Sequence, residues 1–375
     1  MFKSIFRSLL ITLTALGSAL AIAQTPPAGL PPPDAPIDAN IRKEVVETLA
    51  KEMEAAYVFA DKGKQVAADL RARLAKGEYD KIDRAQAFAK VLTDQIQAPT
   101  GDKHLRVRFN EREIDVPPAR REPTQQERDE QLAFLRSVNF GVEKIERLPG
   151  NIGYLDLRSF SGAGLAADTL VAAMNVLAHS DALIIDLTRN GGGDPNTVAL
   201  ITSYLFDERK HLNDLVWREQ GKERVEHFWT TEAVSGARYG GKKPVYVLTA
   251  KRTFSAAEEF TYNLKNLKRA TIVGETTGGG AHPGRMFRLS KNFGAFIATG
   301  RARSPITQTN WEGTGVTPDV PASAEQALNV AQRMALKPLI EAEKNPRRKA
   351  AMEARLKALE DEAKLGEAKQ GEAKK

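Results

Sequence analysis

Cysteine is absent from this chain, which excludes disulfide bonds, thiolate metal sites, a cysteine nucleophile and a lipid-modified cysteine behind an export signal. Stability must therefore come from a packed core, and a 375-residue chain with 42% hydrophobic residues has enough material for one large domain or two modest ones. Histidine is scarce. The five are His104, His179, His211, His227 and His282, with no H-E-x-x-H and no pair at helix-face spacing, so no metal and no other cofactor is expected. The formal charge is +7, but Lys and Arg are interleaved with Asp and Glu and form no basic stripe with aromatics between them. A nucleic-acid partner is excluded on that ground. After the first two dozen residues no run is apolar enough to span a membrane.

What is present begins with "MFKSIFRSLLITLTALGSALAIAQ". Lys3 and Arg7 precede an apolar run from Leu9 that closes on Ala21-Ile22-Ala23, an A-x-A pattern. Residues 1–23 read as a signal peptide, so the protein is expected to be exported, periplasmic or extracellular, with no stable membrane span after cleavage. Residues 24–36 form a Pro-rich linker, and residues 37–100 an Ala-, Lys- and Glu-rich segment. There Val46, Leu49, Met53 and Tyr57, then Val66, Leu70 and Leu74, have helical spacing and predict a small bundle. Residues 101–338 carry the core. Residues 339–375, with repeated "GEAK", read as a solvated helical tail.

Within the core, buried-type strands alternate with helices: "IGYLDLRSF", "ALIIDL", "KPVYVLTA" and "ATIVGE" are each followed by a turn and, in the first three, by a helical pattern. Such alternation predicts an α/β protein with a largely parallel sheet, whose functional groups gather at the carboxyl ends of strands. Two features fall there. "DLTRNGGGD" places three glycines after a strand, a loop able to offer backbone N–H groups to an anion, although a plain tight turn has the same pattern. "TFSAAEEF" places Ser255 at a strand-to-helix junction, with Glu258 at the spacing of a capping box. Ser255 is thus either a helix cap or a nucleophile, and a nucleophile needs a base. His179 follows a helix, His211 and His227 lie in a charged stretch expected to be irregular and solvated, His282 sits in "GGGAHPG" and can line a cleft, and His104 precedes a strand. Position alone leaves the base open.

The motifs "GDKHL", "NGGGD", "TFSAAE" and "EGTGVTPD", in that order, resemble the C-terminal-processing and tricorn-like serine peptidases, in particular the branch named for the interphotoreceptor retinoid-binding protein. The resemblance runs from about Ile37 to Leu339. It implies a crotonase-like core of repeated strand-helix units behind an N-terminal helical bundle, and hydrolysis of peptide or unfolded-protein substrates through an acyl-enzyme. The processing branch uses a Ser-Lys pair, but its lysine position is Gly280 here. The tricorn-like pattern instead implies Ser255 as nucleophile, His104 as base and Glu312 as the acid orienting it. The oxyanion would be held by the N–H groups of Ala256 and of Gly192 or Gly193. Glu275 is the alternative acid, closer to Ser255 in sequence but within a segment shared with the lysine-dependent branch. The interval from His104 to Asn151 is too short for the PDZ domain of the processing enzymes. A second reading keeps the fold without catalysis, as a carrier of hydrophobic ligands of the retinoid or fatty-acid kind. His104, Ser255, Glu312 and the glycine loop together in one chain favour the enzyme.

Overall fold

The computed structural model describes residues 34–114, 124–219 and 221–372. The signal segment and residues 24–33 of the Pro-rich linker lie outside them.

Helices α1 (Ala39–Ala56), α2 (Ala60–Ala75) and α3 (Ala85–Thr100) come first, followed by β1 (Arg106–Phe109) and α4 (Gln125–Ser137). The central run is β2 (Val142–Leu148), β3 (Ile152–Leu157), α5 (Ala163–Leu177), β4 (Ala182–Asp186), α6 (Pro195–Ser203), β5 (His211–Glu219), β6 (Lys222–Trp229) and β7 (Val245–Thr249). Then come α7 (Ala256–Asn266), β8 (Thr271–Gly274), β9 (Gly284–Arg288), β10 (Phe293–Ala298), β11 (Gly300–Arg303), β12 (Val320–Pro321), α8 (Ala327–Ala342) and α9 (Pro346–Glu372).

The fold is mixed α/β, with the expected helices at its N-terminal end. Its main sheet has the order β12-β8-β7-β4-β3-β2, parallel throughout except for the β2–β3 pair. Every residue of β3, β4 and β7 is buried, as parallel strands covered on both faces require. One face packs on α5, α6 and α7 through a cluster including Leu170, Ile185, Val247 and Phe260. The other packs on α8 and α9 through Ile184, Leu248, Leu336 and Leu359. The first part of α9 is no solvated tail: Met352 and Leu359 are buried against α8 and the sheet.

The N-terminal helices do not close a core by themselves. Val46, Leu49, Met53 and Tyr57 are fully buried, on one face of α1 and its C-cap, and they share a cluster with Phe287, Phe293, Ala295 and Ile297 from a small sheet ordered β1-β10-β9. The helical bundle is thus completed by strands more than 200 positions downstream in sequence. His104 lies between α3 and β1, where this bundle meets the main sheet's loops.

Candidate active site

β4 and β7 are parallel neighbours, so the loops that leave their carboxyl ends lie side by side. The first loop carries the glycines into α6, capped by Asp194, whose side chain accepts from the Asn196 N–H at 2.8 Å. Asn190 anchors it: Nδ2 donates to the Leu157 carbonyl at 2.8 Å, Oδ1 accepts from the Gly192 N–H at 2.8 Å, and its carbonyl accepts from the Phe254 N–H at 3.1 Å. The last of these ties the glycine loop to the serine loop. Gly192 has φ of 109°, and a Cβ there would come within 2.7 Å of the Ser255 Cβ and 2.9 Å of the Ala256 nitrogen. Only glycine allows so close an approach.

Ser255 caps α7 with φ of 55° and ψ of −124°, a conformation suited to glycine at the first central position of a type II′ turn. A side chain held there is strained, and such strain concentrates at functional sites. The neighbouring Glu258 is fully buried and holds the junction together. Its carboxylate accepts from the Ser255 N–H at 3.0 Å, the Thr277 hydroxyl at 2.5 Å, and the N–H groups of Gly279 and Gly280 at 2.6 and 2.8 Å. Burial raises its pKa against these four donors, which lower it. Replacing Glu258 by Ala strands buried donors on two loops and should destabilise the protein by about 3 kcal/mol or more. Urea denaturation is the measurement; a loss below about 1 kcal/mol would mean that water takes over these bonds.

His104 packs its ring against Phe254, the residue before the serine, at a centroid distance of 4.5 Å, and against Phe296 at 5.8 Å. The residue keeps partial exposure, but Nδ1 is buried and has no hydrogen-bond partner. Burial pushes its pKa down to about 4, more than the nearby Asp102 charge raises it. At Gly280 a Cβ would come within 2.2 Å of the Phe254 ring and 2.6 Å of His104 Cε1. The space for a side chain at position 280 is therefore filled by Phe254 and His104.

Glu312 lies in the turn after β11. Its Oε2 accepts from the Ala281 N–H at 2.5 Å and stands 3.4 Å from His282 Nδ1, while Oε1 is buried. Burial raises its pKa to about 7, with His282 lowering it and Asp102 raising it. His282 in turn pairs with Asp102, Nδ1 to Oδ2 at 2.9 Å, and Tyr57 from the end of α1 reaches the same oxygen at 3.4 Å. Asp102 Oδ1 accepts from the His104 N–H at 3.0 Å. Ser255, His104 and Glu312 make no direct hydrogen bond to one another. Glu275, the alternative acid, accepts from the Lys251 N–H at 3.1 Å.

Three of these residues escape sequence reasoning. Asp102 sits inside "GDKHL", two positions before His104, and that proximity was its signal. His282 is visible as a cleft residue but not as the partner of two carboxylates. Glu258 reads as a helix cap, and its bonds to Thr277, Gly279 and Gly280 are beyond local pattern.

A strained serine between a buried parallel strand and a helix, beside a glycine loop at the carboxyl edge of a parallel sheet, is the arrangement that presents a serine as a nucleophile. The profile of peptidase family S41 matches residues 151–322, and the profile for the N-terminal domain of that family in eukaryotic IRBP matches residues 39–145. The chain belongs to peptidase family S41. It is 29% identical over 193 residues to the chloroplastic carboxyl-terminal-processing peptidase 2 of Arabidopsis thaliana, an alignment covering 49% of this chain and 36% of that protein. The chain thus matches about a third of that relative's length. Among solved structures, mature CPAF superposes with a TM-score of 0.55 at 13% identity, covering 82% of this chain and 99% of that one. A structure from Parabacteroides merdae gives 0.52 at 18% identity, covering 75% and 90%. At such identities the likeness is one of fold. Among the described residues no helix is long and apolar enough to cross a membrane.

Proposed function

We propose that the protein is an exported serine peptidase that cleaves peptide or unfolded-protein substrates through an acyl-enzyme formed on Ser255. The observation that carries this reading is the strained Ser255, held in a glycine-like conformation at the N-terminus of α7 with Gly192 pressed against it. Ser255 Oγ attacks the substrate carbonyl, His104 takes the proton and returns it to the leaving amine, and Glu312 stabilises the imidazolium. Both residues have hydrogen-bonding capacity left for these two roles: His104 Nδ1 is buried without a partner, and the Glu312 carboxylate is held by backbone N–H groups and His282 and bonds no other side chain among the described residues. An Nδ1–H donor and a carboxylate acceptor are what that step needs, and such bonds often tighten only with substrate bound. The Ala256 N–H, at the first turn of α7, and the Gly193 N–H hold the oxyanion, each worth about 3 kcal/mol. Gly192, the alternative donor, has its N–H committed to Asn190 Oδ1 and serves to bring the loop close.

A second reading has a specific observation behind it. His282 already holds the carboxylate at Nδ1 that a triad base requires, whereas His104 does not. In that case Asp102 and His282 would supply acid and base.

The deciding experiment is labelling of the purified protein by a serine-directed fluorophosphonate, with the modified residue located by mass spectrometry. Modification of Ser255 supports the peptidase. No modification at high protein concentration supports the hydrophobic-ligand carrier.

The pKa shifts predict the pH profile. With His104 held down to about 4 it is neutral and competent well below pH 7, so the rise in hydrolysis with pH belongs to ionisation of Glu312 near 7. Glu312→Gln should flatten that rise and lower kcat by orders of magnitude. The same group affects stability with a definite sign. A carboxyl whose folded pKa lies above its ordinary 4.5 binds more protons folded than unfolded, so stability falls as pH climbs from about 4.5 to about 7. Glu312→Gln should remove that fall and exceed the wild type at pH 8 by up to about 3 kcal/mol. Urea titrations at pH 5 and pH 8 check it; equal pH dependence in both proteins would refute the assignment.

A further inference from the structure

The hairpin β5–β6 carries the two histidines that sequence places in an irregular, solvated stretch. They lie instead on paired strands and converge on one carboxylate. His211 Nε2 is 2.8 Å from Asp214 Oδ1 and His227 Nδ1 is 2.6 Å from the same oxygen. We propose that His211, Asp214 and His227 form a binding site for a divalent transition-metal ion of the zinc, copper or nickel kind, sharing no residue with the candidate active site.

The backbone builds this convergence. Residues three apart on a regular strand face opposite sides, so His211 and Asp214 should diverge. A register shift between His211 and Asn213 makes His211 face Trp229 and Asn213 face Phe228, adding one residue to β5. That bulge turns both side chains to the same face, the usual way a strand re-aims a group at a functional position. Asp214 then stands directly opposite His227 in the ladder.

The donor set is preorganised by its neighbours. The His211 ring stacks on Trp229 at 4.2 Å with an interplanar angle of 8°, which fixes its plane. Arg303 Nη2 binds Asp214 Oδ2 at 2.9 Å and leaves Oδ1 facing the imidazoles. Carboxylates and ligands held in this way by outer groups are typical of metal centres, although the guanidinium charge weakens the attraction for a cation. The three donor atoms lie within 4.8 Å of one another. Metal–nitrogen and metal–oxygen distances of about 2.1 Å at tetrahedral angles place ligand atoms roughly 3.4 Å apart, so the rings need to withdraw by less than about 1 Å. Each neutral imidazole then carries its one proton on the other ring nitrogen, His211 on Nδ1 and His227 on Nε2. Two imidazoles and a carboxylate without thiolate suit the borderline divalent ions and leave a coordination position open. The His227 side chain is 56% exposed, which provides the approach from solvent.

The test uses the full chain, stripped with a chelator and titrated calorimetrically with zinc chloride, then with cobalt(II), whose visible absorption reports low-coordinate nitrogen and oxygen ligation. One equivalent is expected to bind. His227→Ala, a half-exposed position whose loss spares the core, should weaken zinc by about tenfold or more and abolish the cobalt bands. His282→Ala, which breaks up the other group of convergent donors, should leave zinc affinity unchanged once circular dichroism shows it folded. Absence of stoichiometric uptake by the wild type, wild-type affinity in His227→Ala, or loss of binding in folded His282→Ala would each overturn the proposal.

Discussion

Ser255→Gly should abolish peptide hydrolysis and at the same time stabilise the protein. The loss follows from removing Oγ, the only atom of the residue that can attack a carbonyl. The gain follows from φ of 55° and ψ of −124°, where a Cβ is strained by about 1–3 kcal/mol and glycine is not. Glycine's greater freedom in the unfolded chain offsets part of this, leaving about 1 kcal/mol. Helix α7 keeps its start, because Glu258 bonds to the backbone N–H of residue 255 and not to a group the substitution removes. Ser255→Ala should be equally inactive but close to the wild type in stability, since its Cβ keeps the strain. Hydrolysis assays and urea denaturation on the three proteins separate these outcomes. Activity within tenfold of wild type in either variant would end the nucleophile assignment, and a glycine variant less stable than the alanine one would end the argument from strain.

His104→Ala should cut kcat by about 10³-fold or more, the scale of a general base acting on a poorly nucleophilic hydroxyl. His282→Ala should be milder, because on this reading His282 holds the Asp102 and Glu312 carboxylates and never touches the substrate. The packing argues the same way: the His104 ring lies on Phe254, the residue next to the nucleophile, whereas His282 meets Phe59 of the helical bundle edge-on at 5.4 Å. Steady-state kinetics on both variants, with folding verified, decides the matter. If His282→Ala is the dead enzyme and His104→Ala the mild one, the base is His282 and its acid is Asp102.

Much of the fold is legible before any coordinates. Three-residue and four-residue apolar spacing marks α1 and α2, and the continuous apolar runs of β3, β4 and β7 mark strands buried on both faces, because periodicity reports which sides of an element avoid water. The alternation of strands and helices then puts the glycine loop and Ser255 each at the carboxyl end of a strand, but that β4 and β7 are neighbours is seen only in the sheet order. Local patterns say less about surfaces shared with distant segments. The apolar face of α1 is plain in the sequence, but that it is covered by Phe287, Phe293 and Ile297 is not. The last helix is equally deceptive: its Ala-, Glu- and Lys-rich composition reads as solvated, and the few residues that matter, Met352 and Leu359, are too sparse to stand out.

By itself, then, the sequence determined the N-terminal helices, the alternating strands and helices of the main sheet, the serine at a strand-to-helix junction and the short list of histidines available to serve it. Those depend on chemistry within a few residues of chain. Only the tertiary structure decided how these parts meet. It filled the space beside Gly280 with Phe254 and His104, brought Asp102 to His282 and His282 to Glu312, and turned His211 and Asp214 to one side through a bulge. Such contacts join residues as much as 180 positions apart, and their geometry is set by where packed elements deliver their loops. No periodicity along the chain encodes that delivery.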